Sequence, residues 1–392
     1  MSNRSVLITG ATGIMGGWVV GEALTQGYTP VVLMRDADPG QARQRLAAIL
    51  RLVGKEEDLD QVRVVQGDTR LPQLGMNSAA VRNVSAEVGG MIHCAACTSF
   101  NPRQRKEVWA TNVEGCRHVV DFVSKAGIPL YHVSTAYVAG RRSGRAHEDE
   151  LIGDYGFNNP YEESKFRAEH IVHEAIAQER IQAAIFRPGI LVGAAHAQGR
   201  ISQFLNFYHF LRLIDMASRG RLNGTRVIRI SANPEATKNL VPVDWAASAL
   251  WAIIEAEGPC ARTYHLTNPR PASHQSVQEW ANAYLKPSKV RIEFQADGGD
   301  RAGDDAGGSL RGYAAYLHGE PHFDRANTDR ALGGQLAFPA VDSELYGVLL
   351  EYAQFRRWKG IFGCPTNPVR IATKVNNEHK ESALTRNAAA VG

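Results

Sequence analysis

Over the first two hundred residues, short apolar runs alternate with longer stretches that mix apolar and polar positions. Residues 6–9, 31–34, 62–65, 90–94, 129–133 and 183–186 are mostly apolar runs of strand length. Runs of that kind suit strands buried on both faces. Residues 16–26, 41–53, 103–126 and 161–178 read as helices between them. The alternation predicts an α/β fold, a doubly wound parallel sheet of the Rossmann type. Ligands of such sheets lie beyond the carboxyl ends of the strands. A glycine turn after residue 9, residues 93–96 and residues 134–136 all fall at such ends.

Past Pro188 the pattern loosens. Residues 201–216 form a long amphipathic helix candidate rich in Phe, Tyr and Leu, residues 244–255 and 276–285 are further helices, and residues 346–358 are the last. Residues 298–308 are mostly Gly and Asp and read as a flexible loop. From Pro365 onward aromatic residues vanish and polar ones dominate, which predicts a disordered tail. The chain therefore divides into a cofactor-binding Rossmann domain at 1–190 that also carries the catalytic residues, a mixed region at 191–364, and the tail at 365–392. The mixed region is a smaller, mostly helical substrate subdomain with Rossmann elements returning at about 225–266.

Composition narrows the class. A chain of 392 residues with 44% hydrophobic and 21% charged content can bury a full core as an ordinary globular protein. A net charge of +4 is too small to argue for nucleic acid. The five cysteines (Cys94, Cys97, Cys116, Cys260, Cys364) are few and odd in number, so a reducing cytoplasm fits better than a disulfide framework. No signal peptide is evident. The longest apolar run, at 240–256, is broken by Pro242 and Asp244, so no spanning helix and no membrane partner is expected.

Gly10, Gly13 and Gly16 have G-x-x-G-x-x-G spacing between the first strand and the first helix, and enclose Thr12, Ile14 and Met15. Glycines let the backbone turn tightly and approach a pyrophosphate, while the helix that follows offers free N–H groups. The second strand ends at Arg35, where a carboxylate for the 2′-hydroxyl of NAD is usual. An arginine fork there suits the 2′-phosphate of NADPH. Asp36 keeps the NAD reading open, since a shift of one residue restores the carboxylate. Asp68 follows the third strand, either to accept from the adenine amine or to form a turn.

Tyr161 and Lys165 stand one helical turn apart. A phenol has a pKa of about 10, too high for easy proton exchange at neutral pH. A nearby ammonium and a cationic nicotinamide would lower it. A hydroxyl from Ser134 or Thr135 would polarise a substrate carbonyl. The Cys94/Cys97 pair lacks a second ligand pair, so no metal is expected. Arg141, Arg142 and Arg145, or Arg103, Arg105 and Lys106, could hold the phosphates of CoA or a phosphopantetheine arm, or could be solvated charge. Residues 204–210 could line an acyl pocket or be plain core.

Together with the glycine turn, Arg35, Gly67-Asp68, His93-Cys94-Ala95-Ala96, Asn112, residues 132–140, Tyr161/Lys165, Arg187-Pro188-Gly189-Ile190 and residues 240–244, the chain resembles an extended short-chain dehydrogenase/reductase. The subgroup it resembles is the fatty acyl-CoA and thioester reductases, which includes the reductase domains of carboxylic acid reductases and nonribosomal peptide synthetases. The resemblance implies Thr135 as the hydroxyl, Tyr161 as the acid/base and Lys165 as its support. It implies cofactor contacts at Thr69, Ala95, Ala96, Lys165 (on the nicotinamide ribose), Pro188 and Ile190 besides the glycine turn, with Arg187 to Ile190 passing the nicotinamide and Asn112 structural or a relay. The implied reaction is NADPH-dependent reduction of an acyl thioester, delivered by CoA or a separate carrier protein, to an aldehyde or onward to an alcohol. Two alternatives stand beside it. One is a dehydrogenase or epimerase of the same fold acting on a ketone, imine, hydroxysteroid or nucleotide sugar. The other is a non-enzymatic NADP-binding regulator. Monomer and dimer are both compatible with the sequence.

Overall fold

The computed structural model describes residues 4–36, 38–220, 227–296 and 311–362. The loop expected at 298–308 and the tail expected at 365–392 lie outside the described residues. Seven parallel strands form the central sheet: β1 (Ser5–Thr9), β2 (Thr29–Met34), β3 (Arg63–Gln66), β4 (Met91–His93), β5 (Leu130–Val133), β6 (Ala183–Pro188) and β7 (Thr263–Leu266). Their order is β7-β6-β5-β4-β1-β2-β3. The chain winds outward through β2 and β3, then crosses back to β4, so the winding reverses between β1 and β4. A crevice opens at that switch point, beyond the strand ends.

The unbroken apolar runs follow from burial on both sides. Along β1, Val6 and Ile8 enter one core cluster and Leu7 enters the other, as a two-residue period demands. On the first face, helix α1 (Ile14–Thr25) packs against a helix at Val243–Glu257, whose Trp251 donates from its indole to the carbonyl of Val19 at 3.0 Å. The opposite face is covered in part by a helix at Gly115–Ala126 and by another at Pro160–Ala177.

A separate core cluster, built after Val192, joins helices Phe207–Ser218, His274–Leu285 and Ser343–Phe355 to a parallel strand pair, Val227–Ser231 with Arg291–Gln295. Three helices differ from their sequence pattern. The one expected from residue 201 begins at Phe207, because Asn206 takes a φ of +52° and breaks the run. The last begins at Ser343, where Asp342 accepts from the amides of Glu344 and Leu345 at 3.0 and 3.1 Å. It ends before Arg357 and Trp358, both at positive φ. The stretch at 103–126 contains a π turn at Ala110–Glu114 between helical segments Arg105–Trp109 and Gly115–Ala126. Such turns concentrate at functional sites, and this one carries Asn112.

Candidate active site

Two adjoining cavities occupy the crevice. The first, of about 340 Å³, runs over the β1 turn to the ends of β2 and β3. Gly10 has a φ of +71°, and a Cβ there would lie 2.6 Å from the amide nitrogen of Ala95. A Cβ on Gly16 would lie 2.2 Å from the carbonyl oxygen of Gly10. Both positions therefore require glycine, one for conformation and one for close approach. The amide of Ala95 also faces the Thr9 hydroxyl at 3.3 Å, which ties the β4 end to the turn. Helix α1 starts after Gly13 with no side chain capping its first turn. That leaves N–H groups available to an anion. The cradle fits a dinucleotide pyrophosphate.

Thr12, Asp68, Thr69, Ala95 and Ala96 line this cavity with Gly10 and Gly13. Arg35 lines it too and is exposed. Asp36 lines it as well, and Arg45 donates to both of its carboxylate oxygens, at 2.9 and 3.1 Å. Asp68 is likewise paired. Its carboxylate accepts from the backbone and guanidinium of Arg70, and the Arg70 hydrogen bonds hold its pKa below the usual carboxylate range. Asp68 thus closes a turn through the Arg70 amide while it lines the cavity.

The second cavity, of about 250 Å³, continues from Gly13, Ile14, Met15 and Gly16 past Thr135, Tyr161, Lys165, Pro188 and Ile190. Gly13, Cys94, Ala96 and Gln203 line both spaces. Helix Pro160–Ala177 presents Tyr161 and Lys165 by ordinary start signals. Asn159 caps it by accepting from Glu162 N at 3.0 Å, Pro160 occupies the first position, and Glu162 and Glu163 sit in the first turn. Asn112 fixes this helix from the π turn. It donates to Ser164 Oγ at 2.8 Å and holds Cys97 through both its backbone groups at 2.7 and 2.9 Å.

Thr135 follows β5. Its hydroxyl lies 3.5 Å from the carbonyl oxygen of Pro188 and accepts from the Tyr137 amide at 3.3 Å. Ser134 lines the cavity as well, and its buried hydroxyl has no hydrogen-bond partner among the described residues. Lys165 is buried and donates to the carbonyl of Val133 at 2.8 Å; burial lowers its pKa. The lowering expected for Tyr161 needs a cationic nicotinamide beside Lys165; the chain by itself acts in the other direction. Burial pushes Tyr161 up to about 12 against the pull of the Thr135 hydrogen bond. In this state the phenol is a hydrogen-bond donor and a reserve of one proton.

Arg187 does not face the cavity, although its neighbours Pro188, Gly189 and Ile190 do. It is 2% exposed and grips the fully buried Glu169. Strand alternation turns it to the opposite side of β6. Arg105 pairs with Glu163 at 2.5 Å and Arg142 with Glu150 at 2.5 Å. Phe207 and Phe210 line the second cavity, whereas Phe204 and Tyr208 are core. The described cysteines are free thiols, and no group of three or more metal-ligating side chains exists among the described residues. Burial raises the Cys94 thiol to about 12.

The sequence reading missed part of the wall. Phe100 stands with its ring 6.0 Å from that of Tyr161 and 5.2 Å from that of Tyr313. Tyr316 hydrogen bonds Glu162 and accepts from Asn159 at 2.6 Å. Lys238 and His274 complete the wall from the second core cluster's side. No local pattern marks these residues; distant segments bring them together. Among the described residues, no helix is long and apolar enough to cross a membrane.

Comparison with known proteins agrees with this architecture. The solved terminal R domain from the myxalamid PKS-NRPS biosynthetic pathway superposes with a TM-score of 0.74 at 25% identity, over 91% of this chain and 92% of that one. A thiolation-reductase di-domain from an archaeal nonribosomal peptide synthetase superposes at 0.71 with 18% identity, over 91% and 76%. In sequence, the chain is 26% identical over 292 residues to nonribosomal peptide synthetase asaC of Aspergillus flavus, covering 71% of this chain and 27% of that protein. It is 26% identical over 347 residues to the isonitrile lipopeptide synthase of Streptomyces coeruleorubidus, covering 86% and 22%. The chain thus spans about a quarter of the length of these relatives. The model of an NAD-binding family described as "Male sterility protein" matches residues 8–250, so the chain belongs to that family and is an oxidoreductase built on the extended short-chain dehydrogenase/reductase fold.

Proposed function

We propose that the chain is an NADPH-dependent reductase of acyl thioesters, releasing an aldehyde and, with a second hydride, an alcohol. One observation carries the reading. Thr135, Tyr161 and Lys165 line one cavity, and that cavity adjoins the dinucleotide groove through Gly13, Cys94, Ala96 and Gln203. Phe207, Phe210, Val277, Phe294 and Leu317 give that cavity an apolar wall, which suits an acyl chain better than a sugar. Residues 1–190 supply the cofactor groove and the reacting groups, and residues 191–364 supply much of the acyl wall. Arg35, with Asp36 already paired to Arg45, favours NADPH over NADH. The joining of a thiolation domain to the reductase in the archaeal relative favours a thioester on a carrier protein, with CoA as the other source.

Bound NADPH supplies the hydride. Thr135 and Tyr161 donate hydrogen bonds to the thioester carbonyl oxygen, and those bonds strengthen as negative charge develops there. Tyr161 then gives its proton to that oxygen. Lys165, held by Val133, fixes a positive charge beside the site. The resulting hemithioacetal collapses to thiol and aldehyde.

The test follows loss of NADPH absorbance with a panel of acyl-CoA and carrier-bound thioesters, beside Tyr161→Phe. Thioester-dependent oxidation that falls about 10²–10⁴-fold in Tyr161→Phe supports the reading. Tight NADPH binding with no turnover of any thioester sinks it.

A further inference from the structure

The first cavity takes part of its wall from far beyond residue 190. The last helix ends at Phe355, and the chain then turns at Arg357 and Trp358, both at positive φ. Trp358 donates from its indole to Asp215 at 2.8 Å, which holds it against the second core cluster. Two residues on, a Cβ at Gly360 would lie 2.9 Å from the carbonyl oxygen of Ser202, and the amide of Ile361 donates to that same oxygen at 3.0 Å. Ser202 precedes Gln203, which lines both cavities. Phe362 is thereby brought to the first cavity and lines it. Among the described residues it is the only aromatic side chain that does so.

Arg45 sets its place along that cavity. The guanidinium lies over the Phe362 ring, 4.8 Å from its centre. The same guanidinium donates to Asp36, just past the end of β2. A nicotinamide has to reach Tyr161 in the second cavity, and the pyrophosphate belongs over the glycine turn. The β2 end is therefore left for the adenosine. Charged side chains crowd that end: Arg35, Asp36, Arg45, Asp68 and Arg70 all line the cavity. They suit the phosphate and hydroxyls of a nucleotide. A purine needs something else, a flat partner for its faces, and it stacks on aromatic rings and on guanidinium planes. The half-buried Phe362 ring beside Arg45 offers both.

We propose that Phe362, with Arg45 beside it, forms the seat of the cofactor's adenine, so that a residue from the segment after the last helix completes the dinucleotide site. The proposal rests on the dinucleotide reading of this groove.

The test titrates two ligands by calorimetry into wild type, Phe362→Ala and Phe362→Trp. One is NADPH; the other is adenosine 2′,5′-bisphosphate, which keeps the adenosine end and lacks the nicotinamide. Where NADH binds tighter than NADPH, NADH and AMP take their places. Circular dichroism checks that the variants fold. Phe362→Ala should weaken both ligands about tenfold, by one common factor, as expected for the loss of one base–aromatic stack. Phe362→Trp should hold the wild-type affinity. In an Arg45→Ala background, Phe362→Ala should weaken binding severalfold further. Unchanged affinity in Phe362→Ala, or a loss seen with the dinucleotide alone, overturns the proposal. So does the absence of a further loss in the Arg45→Ala background, which would make the ring a brace for Arg45 and no more. A wild type that binds neither ligand pair overturns it as well. Phe362→Trp decides even where Phe362→Ala does not fold. Its emission, taken as the difference from wild type, should change when the adenosine ligand is added, and a constant difference overturns the proposal. Phe362-dependent binding in a protein that reduces no thioester would sink the reductase reading and leave Phe362 standing. Thioester turnover at a cofactor affinity that ignores Phe362 would do the reverse.

Discussion

Arg187 sits in the segment expected to pass the nicotinamide, yet the structure gives it to the core. Replacing it with methionine tests which role it has. Its guanidinium donates through Nε to both oxygens of Glu169 at 2.9 and 3.2 Å, and through Nη2 to the carbonyl of Glu150 at 2.8 Å. It also reaches His265 Nε2 at 3.2 Å. Arg187→Met leaves the Glu169 carboxylate, 0% exposed, without its cation. Breaking a buried pair in this way costs about 3–5 kcal/mol. Unfolding entropy of about 2.1 cal/mol/K per residue gives about 0.8 kcal/mol/K for a chain of this length, so the midpoint should fall by roughly 4–6 °C. Thermal unfolding followed by far-ultraviolet circular dichroism measures it. Adding Glu169→Leu should recover most of the loss, since no unpaired charge then remains. The sign with pH is also fixed. Burial pushes Glu169 upward, but the charge and hydrogen bonds of Arg187 outweigh it, leaving its pKa below the ordinary carboxylate range. That stability is present above the unfolded carboxylate value of about 4.3 and is lost as pH falls through the folded pKa. The gap between wild type and variant should therefore narrow in acid. A shift under about 1 °C, or lost NADPH affinity at unchanged stability, would refute the structural role.

Three further outcomes are expected. In the cofactor-free protein, the difference between wild type and Tyr161→Phe in a spectrophotometric titration should show no phenolate until the pH approaches about 12; a phenolate near neutrality would contradict the dominance of burial. Arg35→Ala should weaken NADPH about 10–100-fold by fluorescence titration while leaving NADH nearly unchanged, because a charge-assisted hydrogen bond contributes about 1.5–3 kcal/mol; equal loss for both cofactors would show that Arg35 does not read the 2′-phosphate. Gly16→Ala places a Cβ 2.2 Å from the Gly10 oxygen, so it should abolish dinucleotide binding or destabilise the protein by about 1–3 kcal/mol, read by calorimetric titration and thermal unfolding; unaltered binding and stability would deny the close approach.

What the sequence determined by itself is what short-range physics controls. Apolar runs six times over marked strands buried on both faces, and those runs give six of the seven sheet strands, with β7 in the stretch expected to return to the Rossmann core. Gly10, Gly13 and Gly16 were legible because backbone conformation and Cβ clashes are local. Tyr161 and Lys165 were legible because one helical turn places both on one side. The remainder depended on segments far apart in the chain. Only packing could bring Thr135, Tyr161 and Lys165 to one cavity, since they lie on separate elements that meet only in the fold. Arg187 went to the core for the same reason, although Pro188 and Ile190 face the cavity. Arg45 and Arg70 claimed the carboxylates of Asp36 and Asp68, so free aspartates in the sequence became paired ones in the fold. Burial, which no single position reveals, raises the Tyr161 pKa in the chain by itself. The wall formed by Phe100, Lys238, His274, Tyr313 and Tyr316 exists only once four segments far apart in the chain meet over the strand ends. Sterics and periodicity act over a few residues and can be read in order; desolvation, pairing and cavity shape depend on neighbours that the chain supplies only after it has folded.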